Sequence, residues 1–271
     1  MKDSIGAGGV MNDDIIQEER LLAVARDAAR RAGDYAASNV ARRHDVNSAT
    51  RADVKHKLDV ECEAVVRKVV MEAFPGHAFL GEESSGASAD SPGYVWIVDP
   101  IDGTVNFFHG SPHWNCSVAV WREGRPVAGV VYAPMERELY EATASGPALL
   151  NGSAVRVSDT SDLSMALVGT GVGKPAPGSG GFSRVDRLAA ACQRVRVAGS
   201  AALDICSVAR GSLDAYFESG IYVWDMAAAS LVLERAGGRS EVLARRDDDG
   251  AIAFLATNGL LHSAMRAVAE P

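Results

Sequence analysis

An apolar run that breaks into acids is the feature around which any fold of this chain has to be built: Val95-Trp96-Ile97-Val98-Asp99-Pro100-Ile101-Asp102-Gly103-Thr104-Val105-Asn106-Phe107-Phe108. The first four residues suit a buried strand, and the run ends abruptly at Asp99-Pro100. Asp102-Gly103-Thr104 then turns the chain, with Asp102 or Thr104 available to cap a following helix. Two carboxylates three residues apart therefore stand where a strand leaves the core. Neighbouring acids at a buried strand end are costly unless cations neutralise them. Hard oxygen donors of this kind favour Mg2+ or a similar ion over zinc. An Asp-x-x-Asp turn is also a common surface loop, so the remaining chain has to decide between the two.

With 271 residues, 47% hydrophobic and 23% charged, the chain suits one large domain or two closely packed lobes. A net charge of -8 argues against a nucleic-acid polymer as partner, because phosphate backbones need clustered cations. A small phosphorylated substrate stays possible if metal ions invert the local potential. Cys62, Cys116, Cys192 and Cys206 form no CxxC pair, so zinc and dithiol sites are not indicated and free, buried thiols are expected. No apolar stretch is long enough to span a membrane and the first residues lack an apolar signal core, which makes the cytoplasm the expected compartment.

Along the chain, residues 1–15, with Gly6, Gly8 and Gly9, read as a flexible lead. Leu21, Leu22, Ala25, Ala28, Ala29 and Ala32 recur at helical spacing and predict a helix over 18–46, followed by a polar loop over 47–51. A second helical pattern starts at Asp59, which fits its N-cap, and Pro75-Gly76 stops it. A short strand at 78–80 runs into Gly81-Glu82-Glu83-Ser84, either a solvated turn or a supply of ligands, and 84–93 reads as a mobile surface loop. Residues 115–122 and 126–132 alternate like antiparallel strands around Glu123-Gly124, and 138–144 extends the meander to a turn at 149–152. Residues 169–181 read as a Gly/Pro-rich linker or loop. Gly173-Lys174-Pro175 is no phosphate loop, since Pro stands where Ser or Thr is needed. Helix 183–192, strand 194–197, a small-residue helix from Ala201 to Ala209, strand 214–218 and a helix beginning near Asp225 and closing at Gly237 follow. An exposed charged turn at 245–250, a strand at 252–256 and a short helix end the chain. No repeat is present. The fold class is therefore α+β, with layered helices and sheets, five layers at most.

Asp59, Glu82, Asp99, Asp102 and Asp225 each have a bland reading as caps or turn acids, yet every one stands where a regular element begins or ends. In its Gly81-Glu82-Glu83-Ser84, its Trp96-Ile97-Val98-Asp99-Pro100-Ile101-Asp102-Gly103-Thr104-Val105-Asn106-Phe107 and its Trp224-Asp225-Met226-Ala227-Ala228, the chain resembles the inositol monophosphatase-like family of Mg2+-dependent phosphatases over about residues 20–265. The resemblance implies an αβαβα sandwich of helix pairs and sheets, usually a homodimer. It implies one domain over 16–271 in two lobes, a metal-site lobe of about 16–160 and a substrate-side lobe of about 161–271. Glu82, Asp99 and the Ile101 carbonyl would hold a first Mg2+, Asp99, Asp102 and Asp225 a second, and a third ion would sit near Glu82. Gly103 and Thr104 would offer backbone N–H groups to a phosphate, as helix starts can. The Thr104 hydroxyl, paired with Asp59, would orient and help deprotonate the attacking water.

Such residues suit a phosphate monoester, whose negative charge repels hydroxide, so that neutralisation and positioning dominate. No protein nucleophile is needed, and the family pattern gives His56, His109 and His113 no role as bases. Arg196, Gly199, Ser200, Ala201 and Glu218 match the family's contacts to the substrate's alcohol portion, with Glu218 accepting from hydroxyls. One departure stands out: the family's usual Val-Thr-x-x-Asp is replaced by Lys55-His56-Lys57-Leu58-Asp59, which bears on the third ion and the water network. Lys55 or Lys57 either brings positive charge toward the phosphate or faces solvent. The expected activity is release of phosphate from a small polyol or sugar-like ester, inositol monophosphate by default. The alternatives are histidinol phosphate, a 3'-phosphonucleotide, fructose 1,6-bisphosphate or a biosynthetic intermediate, and a catalytically weak member with a binding or regulatory role.

Overall fold

Leu21, Leu22, Ala25, Ala28, Ala29, Ala32 and Ala36 line one face of a long helix, all at least 96% buried, and their small side chains let other elements approach closely. A computed structural model describes residues 6–49, 54–84, 86–172 and 181–269, with side chains except at 6–13, 49, 54–56 and 181–183. Helix α1 runs over Gly6–Ser38, so it begins earlier and stops sooner than the expected 18–46. A single 3-10 turn follows, and Val46–Ala49 (β1) pairs antiparallel with Val54–His56 (β2), where a polar loop was expected. Helix α2 covers Lys57–Ala73 and buries Leu58, Asp59, Cys62, Glu63, Val66 and Val70. Asp59 lies inside its first turn and is not the N-cap.

The chain then builds β3 (Ala78–Gly81), β4 (Tyr94–Asp102), the short helix α3 (Thr104–His109), β5 (Asn115–Arg122), β6 (Arg125–Ala133), β7 (Glu138–Thr143), β8 (Leu149–Leu150) and β9 (Ser153–Ala154). These strands form one sheet in sequence order; β3 and β4 are parallel and every other neighbour is antiparallel. Strand β10 (Leu167–Thr170) leads to α4 (Gly181–Ala191), β11 (Arg194–Arg196), α5 (Ala201–Ala209), β12 (Ala215–Ile221), α6 (Val223–Arg235), β13 (Arg239–Arg245), β14 (Ile252–Thr257) and α7 (His262–Ala269). The second sheet has the order β11-β10-β12-β14-β13. Strands β10 and β13 had not been expected.

Three apolar clusters separate five layers. Helices α1 and α2 cover the outer face of the first sheet; α5 and α6 lie between the sheets; α4 and α7 cover the far face of the second. The αβαβα order expected from the resemblance is the one observed. All four cysteines are free and buried. Gly173-Lys174-Pro175, read from the sequence as no phosphate loop, lies outside the described residues, as do residues 1–5 of the expected lead.

Candidate active site

Residues three apart on a regular strand point to opposite faces, so Asp99 and Asp102 need a device to meet. Strand β4 supplies it by running on through Pro100 instead of ending there. Asp99 faces Ser117 across the ladder and Asp102 faces Asn115, with a register break between the two pairs. Three steps on β4 are thus matched by two on β5, a bulge that turns both carboxylates to the same side. Pro100, unable to donate to a ladder, fits that irregular point. Neither Asp102 nor Thr104 caps α3. Gly103 does, at φ 91°, where a Cβ would lie 3.1 Å from the His113 carbonyl oxygen and 3.2 Å from that of Gly199.

Asp102 is tied to the middle layer. The Ser200 hydroxyl donates to its Oδ2 at 2.5 Å, the Asn115 side-chain amide at 2.7 Å and the Ala202 backbone N–H at 3.0 Å; the Ala201 N–H reaches Oδ1 at 3.3 Å. Ser200 is also the N-cap of α5, so a substrate-side residue by family resemblance here acts on the acid. Asp225 occupies the first turn of α6, and its Oδ2 accepts from the Tyr222 N–H at 2.6 Å. Glu82 follows the end of β3, and its backbone N–H donates to the Val98 carbonyl at 3.1 Å. Beneath it, the buried Glu63 accepts from the Glu83 N–H at 2.8 Å. A Cβ on Gly81 would stand 2.1 Å from Glu63 Oε2, so any side chain at 81 displaces that carboxylate. Glu63 was not foreseen, although its spacing of four from Asp59 places both on one helix face.

Asp99, Asp102 and Asp225 each present an oxygen within 4.8 Å of the others. Burial pushes the Asp99 carboxyl well up, helped by the charges of Glu82, Asp102, Asp225 and Asp59. Burial likewise raises Asp225, with Asp102 and Glu82 adding to it. Asp102 is raised by burial too, while hydrogen bonds from Ser200, Asn115 and the α5 backbone pull the other way. A buried knot of carboxylates in this condition ionises once cations join it. Its donors are all oxygen, with neither Cys nor His in the trio, which fits a hard divalent ion such as Mg2+.

These acids floor a cavity of about 260 Å³ whose walls include Glu82, Ile101, Gly103, Thr104, Gly199, Ala201 and Glu218. Thr104 is its edge on the α3 side and Glu218 on the β12 side. Asp59 is 2% exposed and near enough to act on Asp99. Arg196 is exposed on β11 and, like Ser200, is not among the wall residues. Lys57 is exposed; the side chains of Lys55 and His56 lie outside those described. The Asn106 amide, unforeseen, donates to the His113 and Ala198 carbonyls at 2.8 and 2.9 Å and joins α3 to the loop before α5. His113 itself is held up at about 9 by Asp204, 3.9 Å from its Nε2, and by Glu136, 2.9 Å from its Nδ1. Protonated, it pairs with both acids.

The sequence model of the inositol monophosphatase family matches residues 17–268. The chain belongs to that family. Nus factor SuhB of Pasteurella multocida is 34% identical over 256 residues, covering 92% of this chain and 93% of that one. Inositol-1-monophosphatase of Rhizobium meliloti is 40% identical over 191 residues, 70% of this chain and 72% of that one. Among solved structures, inositol monophosphatase from Anabaena superposes with a TM-score of 0.80 at 33% identity, covering 92% and 95% of the two chains. The extragenic suppressor protein suhB from Bartonella henselae gives 0.83 at 30% identity, covering 93% and 98%. As an inositol monophosphatase family member, the protein is a phosphoric monoester hydrolase of αβαβα fold.

Proposed function

We propose that the protein is a Mg2+-dependent phosphomonoesterase that hydrolyses a small polyol or sugar-like phosphate, inositol monophosphate being the default substrate. The observation that carries this reading is the meeting of Asp99, Asp102 and Asp225 on the floor of a cavity that Thr104 and Glu218 also line. Glu82, Asp99 and the Ile101 carbonyl would hold one ion, and Asp99, Asp102 and Asp225 a second, with a third near Glu82. When bound, Mg2+ supplies charge neutralisation for the phosphate and acidifies water. The Gly103 and Thr104 N–H groups face the phosphate oxygens. Thr104 and Asp59 would orient the attacking water, whose proton passes through the Thr104 hydroxyl to the Asp59 carboxylate as its oxygen joins phosphorus and the ester P–O bond breaks, the alcohol leaving with a proton from solvent. The alcohol portion lies toward Arg196, Gly199, Ser200, Ala201, Glu218 and Asp225.

The metal-binding residues come from a lobe of about 16–160 together with Asp225, and the alcohol side from a lobe of about 161–271. A homodimer in the cytoplasm is the proposed state. No helix among the described residues is long and apolar enough to cross a membrane, and the net charge of -8 opposes a nucleic-acid polymer as substrate. A second reading, weak catalysis with a binding or regulatory role, draws on the Nus factor name of the Pasteurella relative and on the altered Lys55-His56-Lys57-Leu58 segment. Phosphate release from inositol 1-phosphate, histidinol phosphate, a 3'-phosphonucleotide and fructose 1,6-bisphosphate, with millimolar Mg2+ or with EDTA, separates them. Inositol 1-phosphate is expected to be turned over in Mg2+ alone. No release from any ester would favour the second reading.

A further inference from the structure

Gly169 of β10 and Gly171, just past its end, stand against two residues of β12. Gly169 pairs with Tyr216 and Thr170 with Phe217 in parallel register, so Tyr216 and Glu218, two apart, share one face of the sheet. A Cβ on Gly169 would lie 3.2 Å from the Tyr216 ring, and one on Gly171 would overlap the Glu218 carboxylate. The bare backbone at these positions therefore gives the Tyr216 ring and the Glu218 carboxylate their places. The Thr170 hydroxyl donates to the Phe217 carbonyl at 2.6 Å and fixes the two strands beside them. Tyr216 is fully buried, and its hydroxyl donates to Glu218 Oε2 in a short hydrogen bond. Burial, with the Glu218 and Asp204 charges, pushes the phenol well above its ordinary value, so it stays a donor. Glu218 itself reaches the cavity wall beside Gly171, Gly220 and Asp225.

We propose that Tyr216 is a positioning residue for alcohol-side specificity: it pins the Glu218 carboxylate against Gly171 in the orientation that accepts the substrate's hydroxyl. A glutamate otherwise samples several rotamers, and a carboxylate ordered before binding takes up its partner without that loss. The inference rests on reading Glu218 as the contact to the alcohol. The Tyr216 hydroxyl is spent on Glu218, so its main effect falls on substrates that present a hydroxyl to that carboxylate.

The test compares Tyr216→Phe, Glu218→Ala and the double variant on inositol 1-phosphate and on p-nitrophenyl phosphate, whose alcohol portion has no further hydroxyl. Tyr216→Phe is expected to raise KM for inositol 1-phosphate about 5- to 10-fold, as loss of one charge-assisted hydrogen bond does. Its kcat, and both constants for p-nitrophenyl phosphate, stay within about two-fold. Adding Tyr216→Phe to Glu218→Ala changes nothing further, because the phenol acts through the carboxylate. Gly171→Ala, which displaces the same carboxylate from the other side, raises the same KM and gives a second variant should the first unfold. Equal losses on both esters, or wild-type KM in Tyr216→Phe, overturn the positioning role. If Glu218→Ala keeps the wild-type KM for inositol 1-phosphate, it is the Glu218 assignment that fails.

Discussion

Replacing Asp99 by Asn takes one charge out of the carboxylate knot while keeping its shape. Asp99 is 2% exposed, and its oxygen lies within 4.8 Å of oxygens on Asp102 and Asp225. At that separation, with an effective dielectric near 20, each pair of like charges repels by about 3 kcal/mol. Protons taken up by the raised carboxyls relieve much of this, so the metal-free variant gains about 1–2 kcal/mol and melts a few degrees higher than the wild type. Mg2+ should reverse that order. An ion at a hundred times its Kd stabilises the wild type by about 2.7 kcal/mol, a rise of about 5–10 °C for a chain of this size. The variant should show almost no Mg2+ response, and phosphate release should fall beyond about 100-fold, since even outer partners of metal ligands are worth 10–100-fold. Thermal melts in EDTA and in Mg2+, with phosphate release on the same samples, read both effects. A variant that keeps its activity and its Mg2+-induced shift would refute the assignment of Asp99 to the metal.

Gly81→Ala places a methyl group 2.1 Å from Glu63 Oε2, and overpacking of this kind costs about 1–3 kcal/mol. Urea titration should show that loss, and calorimetry should show weaker Mg2+ binding because Glu82 shifts with the turn. His113 gives a pH signature. Its imidazole is raised to about 9 in the fold against about 6.5 unfolded, so its contribution is complete below about pH 6.5 and lost as pH rises through 9. Discounted for solvent screening, the pairing is worth about 1 kcal/mol. His113→Gln should remove the decline in melting temperature between those limits, and a parent-like slope in the variant would discard the pairing.

Where the chemistry of a segment is local, the linear chain was readable. Strands β5 and β6 announce themselves by alternation and by Gly124 at φ 72° between them, and α6 by its apolar body. Strand β13 has no clear alternation to mark it, since exposed Arg239, Val242, Ala244 and Arg245 mix with half-buried Ser240, Glu241 and Leu243, and among the described residues it pairs with β14 alone at the sheet edge. Strand β10 is four residues long, Leu-Val-Gly-Thr, and runs into the Gly/Pro-rich stretch from Gly169, so its two apolar residues show neither alternation nor a boundary. Asp59 was misread as a cap because helix starts set by a preceding hairpin leave no local mark.

The sequence by itself determined the acids, their order and the family, because liganding and phosphate chemistry demand particular side chains at particular turns. Only the tertiary structure decided how those acids meet. The bulge at Pro100 brings Asp99 and Asp102 to one face; Ser200 and Asn115 hold Asp102 from other elements; Glu63 sets the Glu82 turn; Tyr216 and Gly171 fix Glu218. Each of these contacts joins residues on different elements or depends on strand register. Side-chain direction and packing fix such contacts, and neither is written in the spacing of one segment.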